Sequence, residues 1–139
     1  MRLNRFAGAL VAVVLLAPAA FAAEDITGKW AGSFIITVDG AEPDDDAAHL
    51  VATQKGQELT GTVGPTAERQ WPILKGKVVT ARVDGKDVTK VTFDVVTEDG
   101  GGPLVHFDLE LIAGRLKGKA KGELNGRQLS AVADMERVK

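Results

Sequence analysis

The sequence predicts an all-β fold, an eight-stranded antiparallel up-and-down barrel over residues 23–139. From residue 26 onward no stretch has the 3.6-residue hydrophobic period of an amphipathic helix. Short runs of alternating apolar and polar residues recur instead, and glycine-containing turn pairs separate them. Regularly spaced short strands with tight turns are typical of antiparallel barrels and sandwiches.

Residues 1–22 precede this domain and have the three-part pattern of a secretory signal peptide. A basic start is followed by an uncharged apolar run over residues 6–17, and Ala20 and Ala22 occupy the −3 and −1 positions of a cleavage site. A spanning helix needs roughly 20 apolar residues, but Pro18 interrupts this run earlier. We expect cleavage after Ala22, a secreted or periplasmic product, and no membrane attachment afterwards.

Composition narrows the possible partners and chemistries. Loss of Arg2 and Arg5 with the signal peptide would lower the formal net charge from −2 to −4. That acidity argues against a nucleic-acid partner, which would require a basic face. The chain has no cysteine, which excludes disulfides and thiolate chemistry. We expect a monomer that depends on its apolar core and closed sheet for stability.

Turn signals divide the domain at Asp39-Gly40, Lys55-Gly56, Asp84-Gly85, Ala113-Gly114 and Asn125-Gly126. The eight predicted strands cover residues 26–38, 47–55, 58–64, 70–83, 87–97, 104–113, 115–124 and 127–137.

The last hairpin has a register that follows from its turn. Asn125-Gly126 favours a type I′ turn, because that turn needs positive φ at both central positions. The register then places Gly118 opposite Ala133 on one face, and Lys117 opposite Asp134 and Arg115 opposite Glu136 on the other. One face of the hairpin is therefore apolar and the other is predicted to be ion-paired.

The preceding hairpin allows two registers. A turn at Ala113-Gly114 pairs Glu110 with Lys117, whereas a turn at Gly114-Arg115 pairs Glu110 with Lys119. Both registers leave each side chain on the same face of the sheet, because side chains alternate with a period of two. The lysines of "KGKAKGE" and the nearby His106 are then expected on a solvated outer face, which argues against an anion or metal site there.

Alternation also assigns an inner face to most strands. Strand four is ambiguous, because Pro72 and Gly76 indicate a bulge that can switch faces after Trp71 and Ile73. The other predicted inner residues are Trp30, Phe34, Ile36, Leu50, Ala52, Leu59, Val63, Val91, Phe93, Val95, Val105, Phe107, Leu109, Leu111, Leu116, Ala120, Leu129, Ala131, Ala133 and Met135.

Trp30 lies between Gly28 and Gly32 in the first predicted strand, where its ring is expected to plug one end of the barrel. The glycines are predicted to leave room for the indole on the same face. Gly28-Lys29-Trp30 resembles the Gly-x-Trp element of lipocalin-type barrels. That resemblance implies that an arginine of the last strand covers the tryptophan, which would bring Arg137 near residues 26–30.

Two further resemblances concern longer stretches. "ITGKWAGSF" and "LTGTV" look like the start of avidin-type barrels, but that family's biotin site uses several tryptophans and a tyrosine. This chain has two tryptophans and no tyrosine, so biotin binding is not implied. The order Gly-Lys-Trp, "QKGQELTGTV", Pro-Ile-x-x-Gly-Lys-Val and Gly-x-Leu-Lys-Gly, within residues 25–124, resembles small exported bacterial proteins of unassigned function.

Catalytic and metal-binding patterns do not emerge from the sequence. The acidic stretch "DGAEPDDDA" at 39–47 lacks the spacing and central glycine of a calcium loop, so it is interpreted as a solvated hairpin loop. Ser33 is not in a nucleophile elbow. We therefore expect no enzyme activity, no cofactor and no metal.

Two functional readings remain. An eight-stranded barrel is just wide enough to be filled by side chains or to hold one small ligand. Small residues from the last two strands, such as Gly118 and Ala131, leave less side-chain volume to fill the barrel interior. In one reading the protein binds a small apolar molecule; in the other it is an envelope interaction or structural protein with a filled barrel. The predicted ligand-site residues are Trp30, Phe34, Trp71, Phe93, Phe107 and Ala131.

Overall fold

The structure, a computed structural model, describes residues 24–97, 102–124 and 126–139. The predicted signal peptide and Asn125 of the last predicted turn lie outside the described residues. Within them all regular structure is β-strand, and no helix is long and apolar enough to cross a membrane. The strands are β1 (Gly28–Val38), β2 (Asp44–Lys55), β3 (Glu58–Gly64), β4 (Trp71–Pro72), β5 (Leu74–Val83), β6 (Lys86–Val96), β7 (Leu104–Ile112), β8 (Arg115–Leu124) and β9 (Arg127–Arg137).

The strands form one closed antiparallel barrel. Neighbours in the sheet are neighbours in sequence, and β1 pairs with both β2 and β9, which closes the barrel. Both β4 and β5 pair with β3, so these two short segments together occupy one strand position. The predicted eight-stranded up-and-down barrel is confirmed.

The predicted fourth strand is interrupted where the sequence indicated a bulge. The register between β5 and β6 shifts between Leu74 and Lys77. Lys75 has a φ of +53°, in the left-handed region that side chains other than glycine rarely adopt. The irregularity lets both Ile73 and Val78 point inward, although five positions separate them in sequence.

The loop at the acidic segment over residues 39–47 is shorter than predicted. β2 begins at Asp44, which pairs with Ile36 of β1, instead of beginning at residue 47. The turn is made by Asp39 and Gly40, whose φ values are +50° and +80°. The strand can start within the acidic run because the ladder satisfies the backbone while the carboxylates stay exposed to water.

The predicted hairpin registers are both found. β8 pairs with β9 as expected, with Lys117 opposite Asp134. β7 pairs with β8 in the first of the two alternatives, with Glu110 opposite Lys117. Ala113 and Gly114 have φ values of +50° and +81°, the doubly positive pattern of a type I′ turn.

The predicted outer-face pair of Arg115 with Glu136 is confirmed, with Nη1 2.9 Å from the carboxylate, but the other acids of this face pair with different cations from those expected. Lys90 Nζ lies 3.4 Å from Asp108 and 3.1 Å from Glu110, and Arg115 Nε lies 2.8 Å from Asp134. The β7 acids Asp108 and Glu110 are thus paired with Lys90 of β6. The β9 acids Asp134 and Glu136 are paired with the guanidinium of Arg115. Among the described residues no salt bridge is formed by the three β8 lysines expected to pair: Lys117, Lys119 and Lys121.

The core occupies the barrel interior, as alternation predicted. All twenty residues assigned to the inner face pack there; sixteen are buried, and Phe34, Ile36, Leu111 and Leu129 are partly buried. The assignment missed Ile26, which is 0 % exposed although it lies before β1. Ile26 belongs to the predicted first strand over residues 26–38 and has the same parity as Trp30, so alternation points to the inner face there although the assignment omits the residue.

Candidate functional site

The barrel is closed at the end where β1 begins. The Trp30 side chain is 1 % exposed, and its Nε1 donates a 2.9 Å hydrogen bond to the carbonyl oxygen of Ile26. The segment before β1 therefore folds back over the indole. This satisfies the one polar atom of a buried tryptophan, which would otherwise carry a desolvation cost.

Arg137 at the end of β9 holds this segment in place. Its guanidinium carbon lies 4.5 Å from the centre of the Trp30 ring. Nη1 donates to the carbonyl oxygen of Thr27 at 2.7 Å, and Nη2 donates to that of Asp25 at 3.1 Å. The position expected for Arg137 is confirmed. The planar guanidinium of arginine suits this combined role, because its face can stack on a ring while the N–H groups on its edge donate hydrogen bonds.

The glycines beside Trp30 have a different purpose from the one expected. A Cβ on Gly32 would lie 2.7 Å from the Cα of Met135 on β9, so glycine there allows two backbones to approach. A Cβ on Gly28 would lie 3.0 Å from Arg137 Nη1, and Gly28 has a φ of +141°. The nearest atoms at both positions belong to β9, so these glycines serve the approach of β9 to β1.

The opposite end of the barrel contains a partly enclosed cavity of about 300 Å³. It lies among the strand ends beside the β1–β2, β3–β4, β6–β7 and β8–β9 connections. Asp46, Arg69 and Thr97 are the polar side chains that line it, among the described residues. The wall is otherwise mainly apolar and includes Phe34, Val63, Trp71, Val95, Phe107 and Ala131.

Four of the six predicted site residues line this cavity: Phe34, Trp71, Phe107 and Ala131. The Phe107 ring centre lies 5.6 Å from that of Phe34 and 4.6 Å from that of Phe93. Phe93 is buried beneath Phe107 and does not reach the wall, and Trp30 lies at the closed end.

The small residues of β8 and β9 are divided between the two halves of the barrel. Ala120 and Ala131 line the cavity, whereas Gly118, Gly122 and Ala133 do not. A Cβ on Gly118 would lie 2.7 Å from the Cα of Leu109, so that glycine permits close strand packing and leaves no space inside. The interior is therefore filled near Trp30 and hollow near the other end.

Charged residues that no sequence pattern indicated lie at the cavity mouth. Arg69 lies in the β3–β4 connection, with its guanidinium carbon 5.3 Å from the centre of the Trp71 ring. Gln70 fixes that connection: its Oε1 accepts from Thr62 Oγ1 at 2.8 Å and its Nε2 donates to the Thr66 carbonyl oxygen at 2.6 Å. The segment "PTAERQ" has no turn motif, so only the folded chain reveals this arrangement.

Other candidate chemistry does not gather into a site in the part of the chain that the structure describes. Histidine, aspartate and glutamate form no group of three that could hold a metal ion there. His106 lies on the outer face, where Nδ1 is 2.6 Å from Asp94 Oδ1. The cavity is thus the feature with the best-defined walls for binding a ligand.

Comparison with protein-family models, curated proteins and solved structures finds no match to this chain. The barrel is therefore established by the structure itself. The likeness to lipocalin-type, avidin-type and small exported bacterial proteins rests on the quoted sequence motifs.

Proposed function

We propose that the protein binds one small, mainly apolar molecule in the cavity at the open end of the barrel. The observation that carries this proposal is a cavity of about 300 Å³ with aromatic and aliphatic walls. Small-molecule sites are concave, mainly apolar clefts that begin at roughly this size.

The closed end of the barrel supports this proposal because its side chains and backbone are held in place by specific contacts. Trp30, Arg137 and the segment before β1 are joined by hydrogen bonds and ring stacking. A site whose walls are already in place avoids part of the ordering cost of binding. An arginine over the tryptophan is also what the lipocalin resemblance implies, so a lipocalin-like binding role is part of the proposal.

We further propose that this role is non-enzymatic and is carried out in the periplasm or outside the cell. The motivation for export is the signal-peptide pattern of residues 1–22. The described cavity lining offers no histidine, serine or cysteine to serve as a nucleophile or base. A binding protein needs only shape and apolar contact, which this cavity supplies.

The proposal is tested by titrating the purified protein with toluene, followed by tryptophan fluorescence and calorimetry. Saturable binding is expected in the wild type and in the control Val132→Phe, because Val132 is 53 % exposed on the outer face. Ala131→Phe, one residue earlier on the cavity wall, should abolish binding because the added ring fills the space. Absence of saturable binding to the wild type, or equal binding to both variants, would contradict the proposal.

A further inference from the structure

We propose that the ligand of this cavity is a zwitterion, an apolar molecule that carries an anionic and a cationic group at one end. A hydrophobic amino acid is the simplest molecule of this class. The inference rests on the proposed function, since it requires that the cavity bind a small molecule. Its basis is a pair of opposite charges, Arg69 and Asp46, on the lining of one apolar cavity.

The two charges are not used to stabilise each other. Among the described residues, neither Arg69 nor Asp46 forms a salt bridge, with the other or with a third residue. They come from different elements, Arg69 from the β3–β4 connection and Asp46 from β2. Both therefore remain free, within the described residues, to bind groups on a molecule that enters the cavity.

Arg69 is positioned to bind an anionic group. Its guanidinium lies over the Trp71 ring, and its own backbone N–H donates to Thr66 Oγ1 at 2.9 Å. The connection is also held by the Gln70 hydrogen bonds described above. A stacked guanidinium keeps the donors on its edge available, and their fork matches the two oxygens of a carboxylate.

Asp46 provides the complementary acceptor. It pairs with Phe34, whose ring lines the cavity, so both residues belong to the inner side of their strands. An ionised carboxylate accepts hydrogen bonds only, so it suits an ammonium group. The aromatic side chains of Phe34 and Phe107 lie beneath, where the apolar body of the ligand would pack.

The surrounding charge disfavours a simple anion. Glu42, Asp44, Asp45 and Glu68 also lie at the cavity end of the barrel, in or beside the connections there. A plain carboxylate would bind Arg69 but would face Asp46 and this acidic rim. A plain amine would bind Asp46 but would meet Arg69. A zwitterion satisfies both lining charges, which is why the structure favours it.

The test uses four probes that share a benzene ring: phenylalanine, 3-phenylpropionate, 2-phenylethylamine and toluene. Calorimetric titration of the wild type should show phenylalanine binding about tenfold more tightly than each singly charged probe, a modest effect suited to a solvent-exposed mouth. Arg69→Gln should remove the advantage of phenylalanine over the amine. Asp46→Asn should remove its advantage over the carboxylate.

Matched controls lie nearby on the same end of the barrel. Arg127→Gln and Asp45→Asn remove the same charges from exposed positions outside the cavity lining, so they should leave phenylalanine binding within about twofold. Zwitterion recognition is wrong if toluene binds as tightly as phenylalanine, or if a control variant lowers binding as much as its lining counterpart. If toluene itself does not bind the wild type saturably, the proposed function is wrong, and that outcome is separate from any difference among the charged probes.

Discussion

Arg137 stacks on Trp30, 4.5 Å from the ring centre, while donating hydrogen bonds to the carbonyl oxygens of Thr27 and Asp25. These contacts join the last strand, the first strand and the segment before it. They span more than 100 positions in sequence, so they form only when the barrel closes. The contacts at the closed end therefore depend on the pairing of the first and last strands and are absent until the barrel has closed.

We predict that Trp30→Ala is among the most destabilising single substitutions. The ring is buried and hydrogen-bonded, and large-to-small changes of this kind cost about 3–5 kcal/mol. Lys119→Ala on the exposed outer face should cost less than about 1 kcal/mol. The free energies of unfolding in urea provide the comparison, and similar losses for the two variants would show that the face assignment is wrong.

We predict a smaller but clear loss for Arg137→Ala. The variant removes two hydrogen bonds and a cation–π contact, each worth about 0.5–1.5 kcal/mol in partly exposed settings. Together they suggest a loss of about 1–3 kcal/mol. Arg127→Ala, at the opposite end of the same strand, is the control and should change the free energy of unfolding by less than about 0.5 kcal/mol.

Hydrogen exchange would show whether Arg137 acts on the closed end in particular. In Arg137→Ala the amide of Ile26, which donates to Gln54 Oε1, should exchange faster than in the wild type. Amides in the β6–β7 ladder should keep their relative protection. A uniform loss of protection over the whole barrel would contradict a local role for this arginine.

We predict that backbone approach makes Gly32 much less tolerant of alanine than Gly40. A Cβ at Gly32 would collide with the backbone of β9, which is not free to move within a paired sheet. A Cβ at Gly40 meets no atom within 4 Å, so the cost there is limited to its φ of +80°, roughly 1 kcal/mol. Thermal unfolding of Gly32→Ala and Gly40→Ala measures the difference. Equal midpoints would mean that the two strands can separate at low cost.

The barrel order and most of the core could be predicted because both depend on local patterns. Turn pairs such as Ala113-Gly114 determine the register, and a period of two then sorts the faces. The purpose of Gly32 could not be predicted, since it depends on a contact with a distant strand. The register identified which acids face β8, but not that Lys90 would pair with them.

The candidate site could be predicted only in part for a related reason. Phe34 and Phe107 were assigned to the interior correctly, but interior position does not say at which level of the barrel space remains. That level depends on the orientation of the large aromatic rings, such as Phe93, which stacks on Phe107 in the core. Arg69 lies in an irregular connection with no periodicity, so sequence patterns offered no route to it.

We predict that the exported protein begins at Ala23. The sequence places small residues at Ala20 and Ala22, as signal peptidase cleavage requires, after an apolar run. N-terminal sequencing of protein recovered from the periplasm or medium of a bacterial host measures this directly. Protein retained in the membrane fraction with Met1 or residues 2–22 still attached would contradict it.

Finally, the two levels of the barrel should respond differently to the same added ring. Ala131 lines the cavity, whereas Ala133, two residues further along the same inner face, is buried in the filled half. Ala133→Phe should overpack the core and cost about 1–3 kcal/mol or more. Ala131→Phe has space for its ring and should change the free energy of unfolding by less than about 1 kcal/mol. Urea denaturation of both variants makes the comparison. Equal losses would mean that the barrel is filled throughout, as an envelope interaction or structural protein requires, and would remove the physical basis for ligand binding.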